Sequence, residues 1–303
     1  MRLAFLGTPE AAVASLRALV EAGHEVALVV TRADRRRGRG GALVASPVKR
    51  AALELGLSVT DDLAGVRDAH VERGVVVAYG ALIPADLLAE VPMLNVHFSL
   101  LPRWRGAAPV ARAILAGDDE TGVDVISLEA SLDTGPIHAE ARVPIADKTL
   151  SELTLELADV GANLLIEVLS SVLLLEHPRP QVGEATYARK LSATDFALAP
   201  TMGVAQAARV ARLEASRVTI GGRRLRILRA HAGDVDAALS PGTVGVARAV
   251  SLGFVDGTLV LEVVQPDGGR VMTSAAWWAG ARLVEPLRWE GPITPDGPVG
   301  SGA

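Results

Sequence analysis

The sequence predicts an α/β fold: a Rossmann-like, mostly parallel sheet with helices on both faces, followed by a small, OB-like C-terminal β-barrel. Three observations carry this reading. As far as about residue 145, short apolar runs alternate with helical patterns, as strand–helix–strand units do. The run Val75–Ala78 is apolar without interruption, which a central strand covered on both faces requires. Beyond Ala207 the pattern changes to short strand-like runs separated by Gly-rich turns, the habit of a small barrel.

In chain order, Leu3–Leu6 is the first strand and Gly7-Thr8-Pro9 its turn, with a helix from about Glu10 to Ala22. A dinucleotide-binding fold would place its glycine fingerprint at that turn. Only Gly7 is present, so a structural strand-to-helix turn is the better reading. Glu25–Thr31 is the second strand, followed by an Arg-rich loop over residues 32–41. Ser46-Pro47 opens a helix through about Leu55, with serine as N-cap and proline in the first turn. After Val75–Ala78, Tyr79-Gly80 leads to a helix near Pro84. Leu94–Phe98 is the next strand and Ala108–Ala116 the next helix. Val123–Leu128 and Ile137–Pro144 are strands flanking a turn at Asp133, and Thr149–Leu175 reads as one long helix. The barrel strands are Arg217–Ile220, Leu225–Ala230, Gly242–Ala247, Phe254–Val255, Leu259–Pro266 and Arg270–Ser274.

The expected organisation is therefore an α/β domain over residues 1–189, a linker over 190–206, a barrel over 207–290 and a disordered Gly/Pro-rich tail over 291–303. A length of 303 residues suits two domains. Aromatic residues make up only 3%, so the cores must be built mainly from Ala, Val and Leu. There is no cysteine, which excludes disulfides, thiolate metal sites and a Cys nucleophile, and fits a cytoplasmic protein. The N-terminus lacks the pattern of a signal peptide. The Leu-rich stretch 164–175 is interrupted by Glu167 and Ser170-Ser171, so no membrane span is expected.

Asn95 and His97 stand two apart in a strand and so point to the same face. An amide donor beside an imidazole suits chemistry at a carbonyl, one group holding the oxygen while the other manages charge or a proton. Taken alone, a satisfied polar pair at a sheet end accounts for them equally well. The turn Leu132-Asp133-Thr134-Gly135 shifts the balance by adding a carboxylate. Ligands of open α/β sheets bind beyond the carboxyl ends of strands, where both segments converge. Asn95, His97 and Asp133 without a Ser or Cys nucleophile point to acyl transfer with no covalent enzyme intermediate. The loop after them, Pro102-Arg103-Trp104-Arg105-Gly106, holds a tryptophan in a chain poor in aromatics. His70, His138 and His231 read as structural or exposed, and no residues have metal-ligand spacing, so no metal is expected.

The net charge of −5 argues against nonspecific nucleic-acid binding, but the charge is unevenly spread. Residues 32–50 hold seven Lys/Arg, among them Arg35, Arg36, Arg37, Arg39 and Lys49, against one acidic residue. Residues 189–229 hold nine, including Arg223 and Arg224, against two. Two basic patches on an acidic protein suggest local docking of a polyanion. For the loop 32–41 a solvated, mobile charged segment is the competing reading.

With these motifs in view, the chain resembles the methionyl-tRNA formyltransferases, a family of 10-formyltetrahydrofolate-dependent enzymes. The resemblance runs from Arg2 to about Gly280. It rests on Phe5-Leu6-Gly7-Thr8-Pro9-Glu10, the basic loop with Ser46-Pro47-Val48-Lys49, and Val76-Val77-Ala78-Tyr79-Gly80. Most diagnostic are Asn95-Val96-His97, Ser99-Leu100-Leu101-Pro102, Trp104-Arg105-Gly106-Ala107-Ala108-Pro109 and Leu132-Asp133-Thr134-Gly135. Ala185-Thr186-Tyr187-Ala188-Arg189-Lys190 is similar to the family's linker. The chain departs from the family at Ala11, where an aromatic is common, and at Phe98 and Ser131, where glycine is common. It also lacks the lysines that usually follow Gly38-Arg39-Gly40.

The resemblance implies formyl transfer from 10-formyltetrahydrofolate to the α-amino group of methionine on initiator tRNA, by a monomer in the cytoplasm. Asn95, His97 and Asp133 would be catalytic, Ser99, Leu100, Leu101 and Pro102 would shape the folate site, and the two basic patches would bind tRNA. Other readings are a 10-formyltetrahydrofolate hydrolase or small-amine formyltransferase, and a noncatalytic RNA-binding module on a doubly wound scaffold.

Overall fold

The computed structural model describes residues 1–37, 41–233, 239–284 and 286–291, without the side chains of Arg35, Arg37 and Ala42. Arg39, and the expected tail apart from Gly291, lie outside the described residues. The chain divides into two compact units. One comprises Met1–Val110, Asp119–Ile145 and Leu153–Arg189; the other comprises Ala111–Asp118, Ala146–Glu152 and Lys190–Ala303.

The strands of the first unit are β1 (Arg2–Gly7), β2 (Glu25–Val30), β3 (Arg35–Arg37), β4 (Ala42–Val44), β5 (Val59–Thr60), β6 (Arg73–Val77), β7 (Met93–His97), β8 (Arg105–Gly106), β9 (Glu120–Ser127), β10 (Ile137–Pro144) and β11 (Tyr187–Ala188). Seven form one sheet in the order β10-β9-β7-β6-β1-β2-β5. The five from β5 to β7 run parallel, whereas β9 is antiparallel to β7 and β10 to β9. Parallel strands are covered on both faces, and β1, β6 and β7 are buried along almost all of their length. Ala4 and Leu6 join Val30, Val76, Leu87 and Met93 in one core, so the buried Leu3 and Phe5 face the other way. On that second face the helix Leu150–Ser170 lies close to β7 and β9. A Cβ on its Gly161 would come within 2.8 Å of Val96 Cγ1.

The expected α/β alternation is present, with local differences that have physical causes. The first helix begins as a 3-10 turn, Glu10–Ala12, before Val13–Glu21. Ser46 caps Pro47–Glu54 by accepting from the Lys49 N–H, as its sequence position implies. The long helix ends at Ser170 rather than running on to Leu175. Ser171 takes an extended conformation and accepts from the Leu174 N–H, so it starts a second short helix, Val172–Glu176. The Arg-rich loop is not irregular throughout, because β3 and β4 pair as a hairpin. The strands β5, β8 and β11, two residues each, are too short to leave a period in the sequence.

The second unit holds β12 (Arg217–Ile220), β13 (Arg223–Ala232), β14 (Thr243–Val246), β15 (Val250–Phe254), β16 (Gly257–Pro266), β17 (Met272–Thr273) and β18 (Leu287–Glu290). Strands β13, β12, β18, β14, β15 and β16 follow one another, and β16 pairs back with β13. The result is a closed antiparallel barrel of six strands, which removes the free edges an open sheet would present. Its core includes Ile220, Ile227, Leu252, Phe254, Leu261 and Trp289. The Phe254 and Trp289 rings stand 4.9 Å apart, and the indole N–H donates to the Gly253 carbonyl at 3.2 Å. The strand expected at Phe254–Val255 starts earlier, at Val250. Two helices, Val204–Ala211 and Ser274–Ala281, were not among the expected elements. The second overlaps the expected strand Arg270–Ser274, and Thr273 caps it by accepting from the Ala276 N–H.

Within this unit Arg112 makes a two-pronged pair with Asp195, at 2.6 and 3.1 Å, with both side chains about 11% exposed. The guanidinium holds the Asp195 carboxyl down at about 2. A lowered carboxyl pKa contributes stability above its ordinary value near 3.9, and the contribution fades as pH falls toward 2. Arg112→Ala is therefore expected to lower unfolding free energy by about 2 kcal/mol at pH 7. The gap from the parent should narrow below about pH 4 in urea titrations. An equal gap at pH 7 and pH 3 would show that the loss is one of packing alone.

Candidate active site

Asn95 and His97 occupy alternate positions of β7 on the same face as Met93, opposite Val96. After β9 the chain folds back through residues 128–136, bringing Asp133 over them. Asp133 Oδ1 lies 3.4 Å from Asn95 Nδ2, and Oδ2 lies 3.7 Å from His97 Nδ1. All three side chains are buried, with residue exposures of 8%, 5% and 8%. The structure thus brings together the three residues that the sequence pattern singles out.

The turn that carries Asp133 is held from several sides. Asp133 has φ +50°, left-handed backbone that a residue with a Cβ seldom adopts. Its Oδ2 accepts from the Gly106 N–H at 2.8 Å. Gln181 donates through Nε2 to the carbonyls of both Asp133 and Gly135, at 2.8 and 2.9 Å. Gly106 has φ +117°, and a Cβ there would meet the Ala188 carbonyl oxygen at 2.9 Å, so only glycine fits.

His97 Nε2 lies 3.0 Å from the Trp104 carbonyl. A carbonyl only accepts, so Nε2 carries a proton and Nδ1 is the nitrogen turned toward Asp133. An imidazolium would present a donor to an oxygen at each ring position. The Trp104 carbonyl is aimed by another left-handed residue, since Trp104 has φ +64°. The loop around it is stapled by residues far along the chain. Thr186 Oγ1 accepts from the Trp104 N–H at 2.9 Å, the Thr186 carbonyl accepts from the Arg105 N–H at 2.9 Å, and β8 pairs with β11.

Ser99, Leu100, Leu101 and Pro102 leave the end of β7 on the same side. Ser99 is buried and donates through Oγ to the Arg103 carbonyl at 2.6 Å. The Leu101 side chain packs with Ile126 and Ile137, and its N–H donates to Asp124 Oδ2 at 2.7 Å. Sequence reasoning did not single out Asp124, Gln181 or Thr186. Asp124 interrupts the apolar run Val123–Ile126, and that polar interruption was the available signal. Gln181 and Thr186 reach the site over long chain separations; Thr186 stands in the linker motif of the resemblance, but nothing local marks either as a site residue.

The basic candidates fall in two places. Arg35, Arg36 and Arg37 form β3, with Arg36 exposed, while Lys49 pairs with Asp34 at 2.8 Å. Arg223 and Arg224 are exposed on β13 of the barrel, Arg224 lying 3.5 Å from Asp267. His138 is buried, its Nδ1 donating to the Leu174 carbonyl at 2.9 Å and its Nε2 facing Ser127 Oγ at 2.8 Å; burial pushes its pKa down. Among the described residues no group of three or more His, Cys, Asp or Glu is placed to hold a metal. No helix among them is long and apolar enough to cross a membrane.

A family model described as formyl transferase matches residues 1–169. A methionyl-tRNA formyltransferase of Rhizorhabdus wittichii is 42% identical, covering 95% of this chain and 100% of its own length. The chain belongs to the methionyl-tRNA formyltransferase family. The enzyme of the same name from Thiobacillus denitrificans is 43% identical over 93% of this chain and 97% of its own. The fold is shared more widely. HypX from Aquifex aeolicus, solved with tetrahydrofolic acid, superposes with a TM-score of 0.66 over 91% of this chain and 46% of its own, at 17% identity. An N-formyltransferase from Helicobacter canadensis, solved with folinic acid and dTDP-3-aminofucose, gives a TM-score of 0.61 over 86% of this chain and 97% of its own, at 16% identity.

Proposed function

We propose that this protein transfers the formyl group of 10-formyltetrahydrofolate to the α-amino group of methionine on initiator tRNA, acting as a monomer in the cytoplasm. The observation that carries the reading is the convergence of Asn95, His97 and Asp133 on one buried spot at the end of β7. It agrees with family membership along nearly the whole chain.

The neutral amine attacks the formyl carbon, a C–N bond forms, and the bond to folate N10 breaks. Negative charge builds on the formyl oxygen meanwhile. Asn95 donates to that oxygen through Nδ2, and protonated His97 stabilises the charge. Both groups reach Asp133 only at 3.4 and 3.7 Å, too long for strong bonds, which leaves them donor capacity for a substrate oxygen. Asp133 orients His97 and accepts the amine proton, directly or through water, and that proton leaves on N10. Ser99, Leu100, Leu101 and Pro102 border the folate. Arg35, Arg36, Arg37, Arg39, Lys49, Arg223 and Arg224 supply phosphate contacts.

The deciding assay offers initiator methionyl-tRNA, elongator methionyl-tRNA and free methionine side by side, with release of tetrahydrofolate as readout. Formylation confined to initiator tRNA is expected. Folate hydrolysis without an acceptor, or equal use of free methionine, would overturn the assignment. tRNA affinity should fall steeply with salt, as for any complex built on phosphate contacts. Arg39→Ala should weaken use of charged tRNA and leave folate binding intact; equal loss of both would make the loop purely structural.

A further inference from the structure

The antiparallel pairing of β7 and β9 sets His97 opposite Asp124 and Asn95 opposite Ile126. Directly opposed residues share a face, so Gly122, Asp124 and Ile126 form a row on the site side of the sheet. The segment Ser99–Pro102 is seated on that row. A Cβ on Gly122 would lie 2.4 Å from Leu100 Cδ2, so the missing side chain makes room for Leu100. The Leu101 side chain packs on Ile126. Between them, Asp124 Oδ2 accepts the Leu101 N–H at 2.7 Å.

Asp124 is 0% exposed, and among the described residues its Oδ1 has no hydrogen-bond partner. A buried carboxylate oxygen without a donor is destabilising, so part of what the Leu101 bond contributes to Asp124 is offset at Oδ1. Its protonated forms serve the segment worse than its charged form. A proton on Oδ1 would leave the Leu101 N–H only a neutral carbonyl oxygen, and a proton on Oδ2 would turn its acceptor into a hydroxyl. Only the carboxylate gives the Leu101 N–H a charge-assisted bond.

We propose that Asp124 is a positioning residue for the folate co-substrate: its charged form, through the Leu101 N–H, holds the Ser99–Pro102 segment in its binding position. The proposal rests on the reading that this segment borders the folate. The groups facing Asp124 are His97 across β7 and Glu140 across β10, with Arg179 and Arg142 also acting on it. Burial pushes its pKa up to about 7, with Glu140 adding to the rise and the Leu101 bond, Arg179 and Arg142 opposing it. Folate binding selects the charged form, so affinity should rise with pH through neutrality and binding near pH 7 should release protons.

Calorimetric titration with 5-formyltetrahydrofolate, an unreactive analogue, tests this without tRNA. The wild-type chain should bind about five-fold more tightly at pH 8 than at pH 6, the scale on which charged and neutral acceptors differ. At pH 7 its binding heat should vary with the ionisation enthalpy of the buffer. Asp124→Asn keeps the acceptor and His97 but cannot itself titrate, so its affinity ratio between the two pH values should fall well below that of the wild-type chain. A variant retaining the wild-type pH dependence overturns the proposal. So does a wild-type chain that releases no proton, a result that stands even if the variant fails to fold. A wild-type chain that binds no folate at either pH fails the parent reading itself, which separates the two outcomes.

Discussion

Asn95→Ala is expected to lower kcat for formyl transfer about 10²–10³-fold, the usual consequence of deleting one donor to a developing oxyanion. Affinity for folate should change little, because the segment proposed to border it hangs from β9 and not from Asn95. His97→Ala should fall on the same scale, and the double variant should lose far less than the product of the two. Both side chains address the same carboxylate, and residues that act as a unit are strongly non-additive. Single-turnover formylation with saturating folate donor and charged initiator tRNA is the measurement. Near-parental rates in both single variants would remove carbonyl chemistry from this site.

Gly135→Ala is expected to be nearly as damaging by a different route. A Cβ there would stand 1.8 Å from the Ser127 carbonyl oxygen and 2.9 Å from its carbon. Those are backbone atoms of β9 and cannot rotate away, so the turn must lift. Lifting it pulls the Gly135 and Asp133 carbonyls off Gln181 Nε2 and the Asp133 carboxylate off the Gly106 N–H. A loss of about 3 kcal/mol in unfolding free energy is expected. Activity should fall further than the unfolded fraction explains, since the surviving folded molecules would have a displaced Asp133. Urea denaturation and activity measured on the same preparation separate the two effects. Parental stability in this variant would mean that the turn has slack that the geometry denies.

How much of this was legible in the chain depends on the range over which each feature is determined. Asn95 and His97 were readable because strand periodicity is a local rule, and Ser46 because an N-cap acts within three residues. The Asp133 turn was readable from its position between two strands. The break at Ser171 was less so. The apolar character of Val172-Leu173-Leu174-Leu175 continues that of the helix before it, and only the side-chain bond from Ser171 separates them. Ser274–Ala281 contains two tryptophans among small residues and shows no polar face, which hides a helix behind a strand-like beginning at Met272. That Thr186 and Gln181 staple the Trp104 loop could not be read, although Thr186 lies in a motif of the resemblance. Thr186 and Gln181 reach the loop from about 80 residues along the chain, Thr186 through the Trp104 N–H and Gln181 through the Arg105 guanidinium, and no local period links such distant partners.

The row Gly122, Asp124 and Ile126 has a consequence for how such an enzyme diversifies. Successive inward positions of one strand separately set the room for Leu100, the bond to the Leu101 amide and the packing of the Leu101 side chain. None of the three is Asn95, His97 or Asp133. With Ser99–Pro102 bordering the folate as proposed, point substitutions along a single strand would retune how tightly the one-carbon donor is held, adapting the protein to richer or poorer supplies of it, without touching the three residues proposed to carry the reaction.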